Sequence, residues 1–198
     1  YEADLQPVPV VGAVDLGRIF LELRRRLPDD AIIANGAGNY AAWLHRYFEH
    51  RGYPTQLAPQ SGAMGYGVPA AIAASLLLPA RRVVAVAGDG CFQMAISDLV
   101  TASATGARVI FMVINNSSFG TIRMHQETRY PGRRTGATEL VNPDFVALAA
   151  ACGIPGERVG NTLQFPAALS RALDAPGSYL LELVTDVEDI APGKRLSM

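Results

Sequence analysis

The chain has 198 residues, 49% hydrophobic and 18% charged, with a mean hydropathy of +0.17. That is enough apolar mass for a sizeable core and too much for a disordered tail. Nineteen glycines and 13 prolines are dispersed without a repeat, which excludes collagen-like and low-complexity chains and leaves one domain as the expectation. Seventeen Lys and Arg against 18 Asp and Glu give a net charge of −1, without the basic footprint of a nucleic-acid binder.

The run Arg24-Arg25-Arg26 reads as a solvated helix face. Two cysteines, Cys91 and Cys152, cannot build a disulfide framework and show no metal-ligand spacing, which fits a reducing cytoplasm. The longest apolar stretch, Gly67 to Ala80, is 14 residues and is broken by Pro69, Ser75 and Pro79, too short to cross a bilayer. The start, Tyr1-Glu2-Ala3-Asp4, has neither Met nor a signal pattern, and the expectation is a piece of a longer polypeptide.

In chain order, Asp15 opens an amphipathic helix carrying Leu16, Ile19, Phe20, Leu23 and Leu27, closed by Pro28. Ala31 to Ala34 reads as a buried strand ending in Asn35-Gly36-Ala37-Gly38, with a helix through Trp43 and Phe48 beyond it. Tyr53 to Ser61 reads as loop. Gly62 to Gly67 is a glycine-rich loop, and Pro69 sits in the first turn of the helix that follows. Val83 to Ala87 is an unbroken apolar, β-branched run, as a strand covered on both faces shows, and it ends in Gly88-Asp89-Gly90.

Phe92, Ile96, Leu99 and Val100 then mark one helix face, stopped at Gly106, before a second apolar strand, Val109 to Ile114. A helix capped by Asn142, with Pro143 in its first turn, runs to Cys152. Another lies near Phe165 to Leu173, and Tyr179 to Val184 supplies a last strand. Strands alternating with helices give an α/β class, a doubly wound, mostly parallel sheet with helices on both faces.

Asp89 and Asn116 follow the ends of two buried strands, 27 positions apart, the length of one crossover. They therefore face the same edge of the sheet, where ligands bind in open α/β folds. A carboxylate, an amide oxygen and loop carbonyls are hard ligands that suit Mg²⁺, and the N–H groups of Gly90, Cys91 and Phe92 at a helix start suit a phosphate. A Mg²⁺-diphosphate site is the reading of the residues themselves.

Gly88-Asp89-Gly90, 24 intervening residues and Asn115-Asn116 resemble the cofactor signature of thiamine diphosphate-dependent enzymes. Ser61 to Ala71 and Asn142-Pro143-Asp144-Phe145 are similar to the acetolactate (acetohydroxyacid) synthase branch, specifically its C-terminal, diphosphate-binding domain, over nearly all of residues 1–198. The resemblance implies that Asp89, the side-chain oxygen of Asn116 and the carbonyl of Ser118 hold Mg²⁺. It implies that Met64 wedges the cofactor into a bend, that the Gly62 carbonyl and the Met64 N–H meet its pyrimidine, and that Phe119 and Gly120 complete the cofactor-binding set with Gly36, Gly38, Gly88, Gly90 and Cys91.

A fragment of a three-domain chain, inactive alone, is implied. The essential glutamate that in this family hydrogen-bonds the pyrimidine N1′ would come from an N-terminal pyrimidine-binding domain of the same or a partner subunit, in a homodimer or homotetramer acting on 2-keto acids. The implied reaction is decarboxylation with carboligation, and the alternative is simple decarboxylation. His125 stands where synthases carry a Trp, and is a candidate proton-transfer group. Cys91 replaces a small hydroxyl residue, and Ala37-Gly38 a Gln-His pair. A rival reading takes Gly36-Ala37-Gly38-Asn39-Tyr40-Ala41 as the G-x-G-x-x-A fingerprint of a NAD or FAD domain, and needs a second strand and an acidic residue about 20 positions on.

Overall fold

The computed structural model describes residues 5–133 and 136–195, so the Tyr1–Asp4 start lies outside the described residues. In chain order the elements are α1 (Leu16–Arg26), β1 (Ile32–Asn35), α2 (Tyr40–Tyr47), β2 (Gln56–Leu57), α3 (Gly67–Leu77), β3 (Val83–Gly88) and α4 (Asp89–Gln93). They continue with α5 (Asp98–Thr105), β4 (Val109–Asn115), α6 (Gly120–Arg129), α7 (Phe145–Ala151), β5 (Gly156–Val159), α8 (Phe165–Asp174), β6 (Tyr179–Val184), β7 (Asp189–Ala191) and β8 (Lys194–Arg195).

Six strands form one sheet in the order β2-β1-β3-β4-β6-β5, every neighbouring pair parallel. β3 and β4 occupy its centre, and their side chains from Val83 to Ala87 and from Val109 to Ile114 are buried, as the unbroken apolar runs require. The chain leaves β1 towards β2 on one side and then crosses to β3 on the other. Right-handed crossovers in opposite directions place their helices on opposite faces. Accordingly α1 packs with α2 and α8, while α3 packs with α5. The sheet is doubly wound, and its switch point lies between the carboxyl ends of β1 and β3.

Local signals act as the residues dictate. The Asp15 side chain accepts from the Arg18 N–H at the start of α1. Gly106 ends α5 in the left-handed conformation at φ 68°, which only glycine adopts without strain.

Four expectations are corrected. The single helix expected from Phe92 to Val100 is two pieces, because Ala95, Asp98, Leu99 and Val100 donate to the carbonyls three residues back. That tighter winding shifts the phase and leaves Val100 58% exposed. The 53–61 segment contains β2, a two-residue edge strand parallel to β1. Asp144, and not Asn142, caps α7, accepting from Val146 and Ala147 at 3.0 Å each. Finally, Arg24 is buried and donates to the carbonyls of Leu27 and Pro28 at the end of α1, with its guanidinium over the Phe48 ring. Of the run only Arg25 is exposed, since Arg26 is half-buried and donates to Ser170 Oγ. β5 and the antiparallel β7-β8 hairpin were not anticipated at all.

Candidate functional site at the switch point

A pocket opens where the switch point predicts one, lined after β1 by Ala37, Gly38, Asn39 and Tyr40, and after β3 by Gly88, Asp89, Gly90 and Cys91. Met64 from the glycine-rich loop forms part of its wall, and Ile114, Asn116, Ser118, Phe119, Gly120, Thr121 and Ile122 close the β4 side. Of the residues singled out from sequence, Gly38, Met64, Gly88, Asp89, Gly90, Cys91, Asn116, Ser118, Phe119 and Gly120 meet here.

Four do not line the pocket, among them Phe92, which is buried in the core. Gly36 lies beneath it, where an added Cβ would meet Cys91 Sγ and sit 3.0 Å from Tyr40 Oη. Gly62 is exposed, in a left-handed turn at φ 67°. His125 is exposed on α6, whose pocket-lining residues are confined to its first turn, Gly120 to Ile122. The structure therefore does not bring His125 to the site.

Asp89 is buried at the head of α4. Burial pushes its carboxyl above the usual aspartate range, against hydrogen bonds from Asn142 and the Gly90, Ser117 and Ser118 backbone that favour the charged form. Among the described residues no cationic side chain contributes to that balance. A desolvated carboxylate without a counter-charge, beside an amide oxygen and a carbonyl, is a donor set made for a hard divalent cation. The residues present thus fit Mg²⁺.

The loop after β4 explains how Asn116 and Ser118 both reach the pocket. Ser117 takes a left-handed conformation at φ 53°, and its N–H and hydroxyl donate to Asn115 Oδ1. Asn116 Oδ1 accepts from the Ser118 N–H at 3.1 Å. The segment 138–140 braces this loop from behind: the Phe119 N–H and the Ser118 hydroxyl donate to the Thr138 carbonyl, and the Leu140 N–H donates to the Ser117 carbonyl.

Gly90 is a close approach, since a Cβ there would lie 2.6 Å from Phe119 Cε1 and 3.1 Å from Leu140 Cδ1. The helix start expected to receive a phosphate is a single turn of five residues, and the Gly90 N–H is directed at Asp89 Oδ1, 2.9 Å away. The Cys91 thiol faces away from that turn. Its sulfur accepts from the Gly65 N–H at 3.1 Å and from the Tyr40 hydroxyl at 3.4 Å, tying the Met64 loop to the β3 turn. Burial and the Cys91 contact hold the Tyr40 phenol well above its usual range, so it stays neutral.

Sequence reasoning missed Asn39 and Thr121, which pair at 2.9 Å across the pocket rim. It also missed Asn142, read as a cap, whose amide nitrogen reaches Asp89 Oδ2 and Asn115 Oδ1 at 2.8 Å each. The dinucleotide fingerprint follows β1 as it should, but no Asp or Glu occurs from Gly52 to Tyr66, so β2 carries no acidic residue for a ribose.

The family described as thiamine pyrophosphate enzyme, C-terminal TPP binding domain, matches residues 36–183. The chain belongs to this thiamine pyrophosphate enzyme family. It is 31% identical over 174 residues to the acetolactate synthase isozyme 2 large subunit of Escherichia coli K12, covering 86% of this chain and 32% of that protein. It is 36% identical over 155 residues to the mitochondrial acetolactate synthase catalytic subunit of Aspergillus candidus, covering 78% and 22%. The chain spans a third or less of the length of these two relatives. Among solved structures it is similar to the thiamine diphosphate-dependent 4-hydroxybenzoylformate decarboxylase of Rhodococcus jostii RHA1, with a TM-score of 0.84 and 29% identity over 91% of this chain and 34% of that one. It is thus a TPP-binding domain of the acetolactate synthase-like kind. No helix among the described residues is long and apolar enough to cross a membrane.

Proposed function

We propose that this domain holds the diphosphate of thiamine diphosphate through Mg²⁺ at the β1-β3 switch point, as part of an acetolactate synthase-like enzyme acting on 2-keto acids. The observation that carries this reading is the buried, uncompensated Asp89 carboxylate beside Asn116 and Ser118. Asp89, Asn116 Oδ1 and the Ser118 carbonyl would hold the metal. The cofactor, when bound, supplies the electron sink for decarboxylating a 2-keto acid. This chain's residues would position it: Met64, in the same pocket wall, would support its bend, and the apolar Phe119 and Ile122 line the pocket beside Asp89.

The pocket encloses about 90 Å³, below the ~300 Å³ at which small-molecule sites begin. That supports a site completed by a second surface, the N-terminal pyrimidine-binding domain of a longer chain or its partner subunit, in a homodimer or homotetramer. Residues 1–198 are then one C-terminal domain of a three-domain polypeptide, inactive by itself. The two free cysteines, one buried, support a cytoplasmic, reducing location.

Decarboxylation with carboligation is the favoured chemistry because the acetolactate synthase relatives match at 31–36% identity. The decarboxylase neighbour supports the alternative, simple decarboxylation. The test is calorimetric titration of thiamine diphosphate with Mg²⁺, an EDTA control and a parallel NAD titration. Mg²⁺-dependent binding with no NAD binding is the expected result; NAD binding with silence towards thiamine diphosphate overturns the reading. On the longer polypeptide, a 2-hydroxy-keto acid product marks the synthase and an aldehyde marks the decarboxylase.

A further inference from the structure

A chain of polar side chains runs from the sheet edge to Asp89 without a gap. Arg158 Nε on β5 donates to Glu182 Oε2 on β6 at 2.8 Å, and Asn115 Nδ2 at the end of β4 donates to Glu182 Oε1 at 2.7 Å. Asn115 Oδ1 accepts from Asn142 Nδ2 at 2.8 Å, and the same nitrogen donates to Asp89 Oδ2 at 2.8 Å. Gln93 Nε2 completes the set by donating to Asn142 Oδ1 at 2.6 Å.

The direction of every bond is forced. An ionised carboxylate only accepts, so Glu182, 1% exposed, fixes the Asn115 amide with its nitrogen inward and its oxygen towards Asn142. Asn142 must then present its nitrogen, and both of its protons are consumed, one by Asn115 and one by Asp89. Asn115, Glu182, Asn142 and Asp89, joined by bonds that span 27 to 67 positions, meet in a single orientation.

We propose that Asn142 is a positioning residue for the metal ligand Asp89, held in register by Asn115 and Glu182. The inference rests on the Mg²⁺-diphosphate reading above. Asn142 occupies Asp89 Oδ2 from the loop side, and the Gly90 N–H approaches Oδ1, so the carboxylate plane is fixed before any cation arrives. Partners of this kind behind a ligand usually set metal affinity by 10- to 100-fold. Glu182 acts at a distance, touching no ligand, through two amides.

The test is Mg²⁺ titration of the protein at saturating thiamine diphosphate, with thermal unfolding run on each variant to show that it is folded. Asn142→Ala weakens Mg²⁺ half-saturation by about tenfold or more, while saturating Mg²⁺ still restores binding of thiamine diphosphate. Glu182→Gln gives a smaller loss in the same direction, and the double variant loses no more than Asn142→Ala alone, because the chain is already broken at Asn142. If Asn142→Ala does not fold, Asn142→Ser takes its place with the same expectation. Equal Mg²⁺ affinity in the folded variants and the unsubstituted protein overturns this inference alone. Failure of the unsubstituted protein to bind thiamine diphosphate in an Mg²⁺-dependent way overturns the site reading and the inference with it.

Discussion

Phe92 anchors the turn that carries Asp89, and Phe92→Ala measures how strongly. Its ring is 1% exposed and meets Phe111 edge-on at 6.3 Å and Phe145 at 5.7 Å, joining α4 to β4 and α7. Removing a buried Phe ring costs about 3–5 kcal/mol in transfer and cavity terms, and each lost aromatic pair accounts for about 0.5–1.5 kcal/mol beyond area. The expected loss lies in the upper half of that range. For a domain of this size each kcal/mol moves Tm by roughly 2–4 °C, so Tm falls by at least about 8 °C.

Guanidinium denaturation followed by far-UV circular dichroism gives the free energy, with Met94→Ala as the control. Met94 lies two residues on, 60% exposed, and its truncation stays within about 0.5 kcal/mol of neutral. A loss under about 1.5 kcal/mol for Phe92→Ala, or one equal to the Met94 control, refutes the claim that this ring pins the Asp89 turn.

Arg24→Ala removes the donor to the Leu27 and Pro28 carbonyls and costs about 2–3 kcal/mol, whereas exposed Arg25→Ala changes stability by less than about 0.5 kcal/mol in the same assay. Gly90→Ala forces Phe119 and Leu140 aside, lowering stability by about 1–3 kcal/mol and weakening Mg²⁺-thiamine diphosphate binding by calorimetry. His45 and His50 are both held below the usual histidine range, His45 by burial and His50 by burial plus the nearby His45 and Arg24 charges. Their contribution to stability is complete above the unfolded value of 6.5 and is lost as pH falls from there towards their lowered folded values. Glu22 and Glu157, lowered by their arginine partners, lose theirs only below 4.5. Thermal unfolding scanned from pH 7.5 to 5 therefore shows a decline that His50→Gln flattens; a flat profile in the unsubstituted protein contradicts it.

The central strands were legible because a strand buried on both faces needs an uninterrupted apolar run, and Val83 to Ala87 and Val109 to Ile114 have one. β2 and β5 were not, since Gln56-Leu57 and Gly156-Glu157-Arg158-Val159 are short edge strands whose polar residues carry no periodic signal. Asp89 and Asn116 were legible because strand ends on one sheet edge must converge, whereas Ser118 came only from the family resemblance. Asn142 was misread because Asn-Pro-Asp offers two caps two residues apart, and local sequence does not reveal that Asp89, 53 positions upstream, competes for the first. A signal for Arg24 did exist: it follows Phe20 by four residues and precedes Leu27 by three, which places it on the apolar stripe of α1. His125 had no comparable signal, because spacing along α6 does not reveal that the pocket ends after one turn.

The most direct measurement is a crystal structure of the protein grown with thiamine diphosphate and Mg²⁺. The account predicts a metal about 2.0–2.1 Å from an Asp89 carboxylate oxygen, Asn116 Oδ1 and the Ser118 carbonyl oxygen, beside the diphosphate, with the same crystals of Asp89→Ala showing no metal. Diphosphate bound elsewhere, or a metal at this edge that persists in Asp89→Ala, contradicts it.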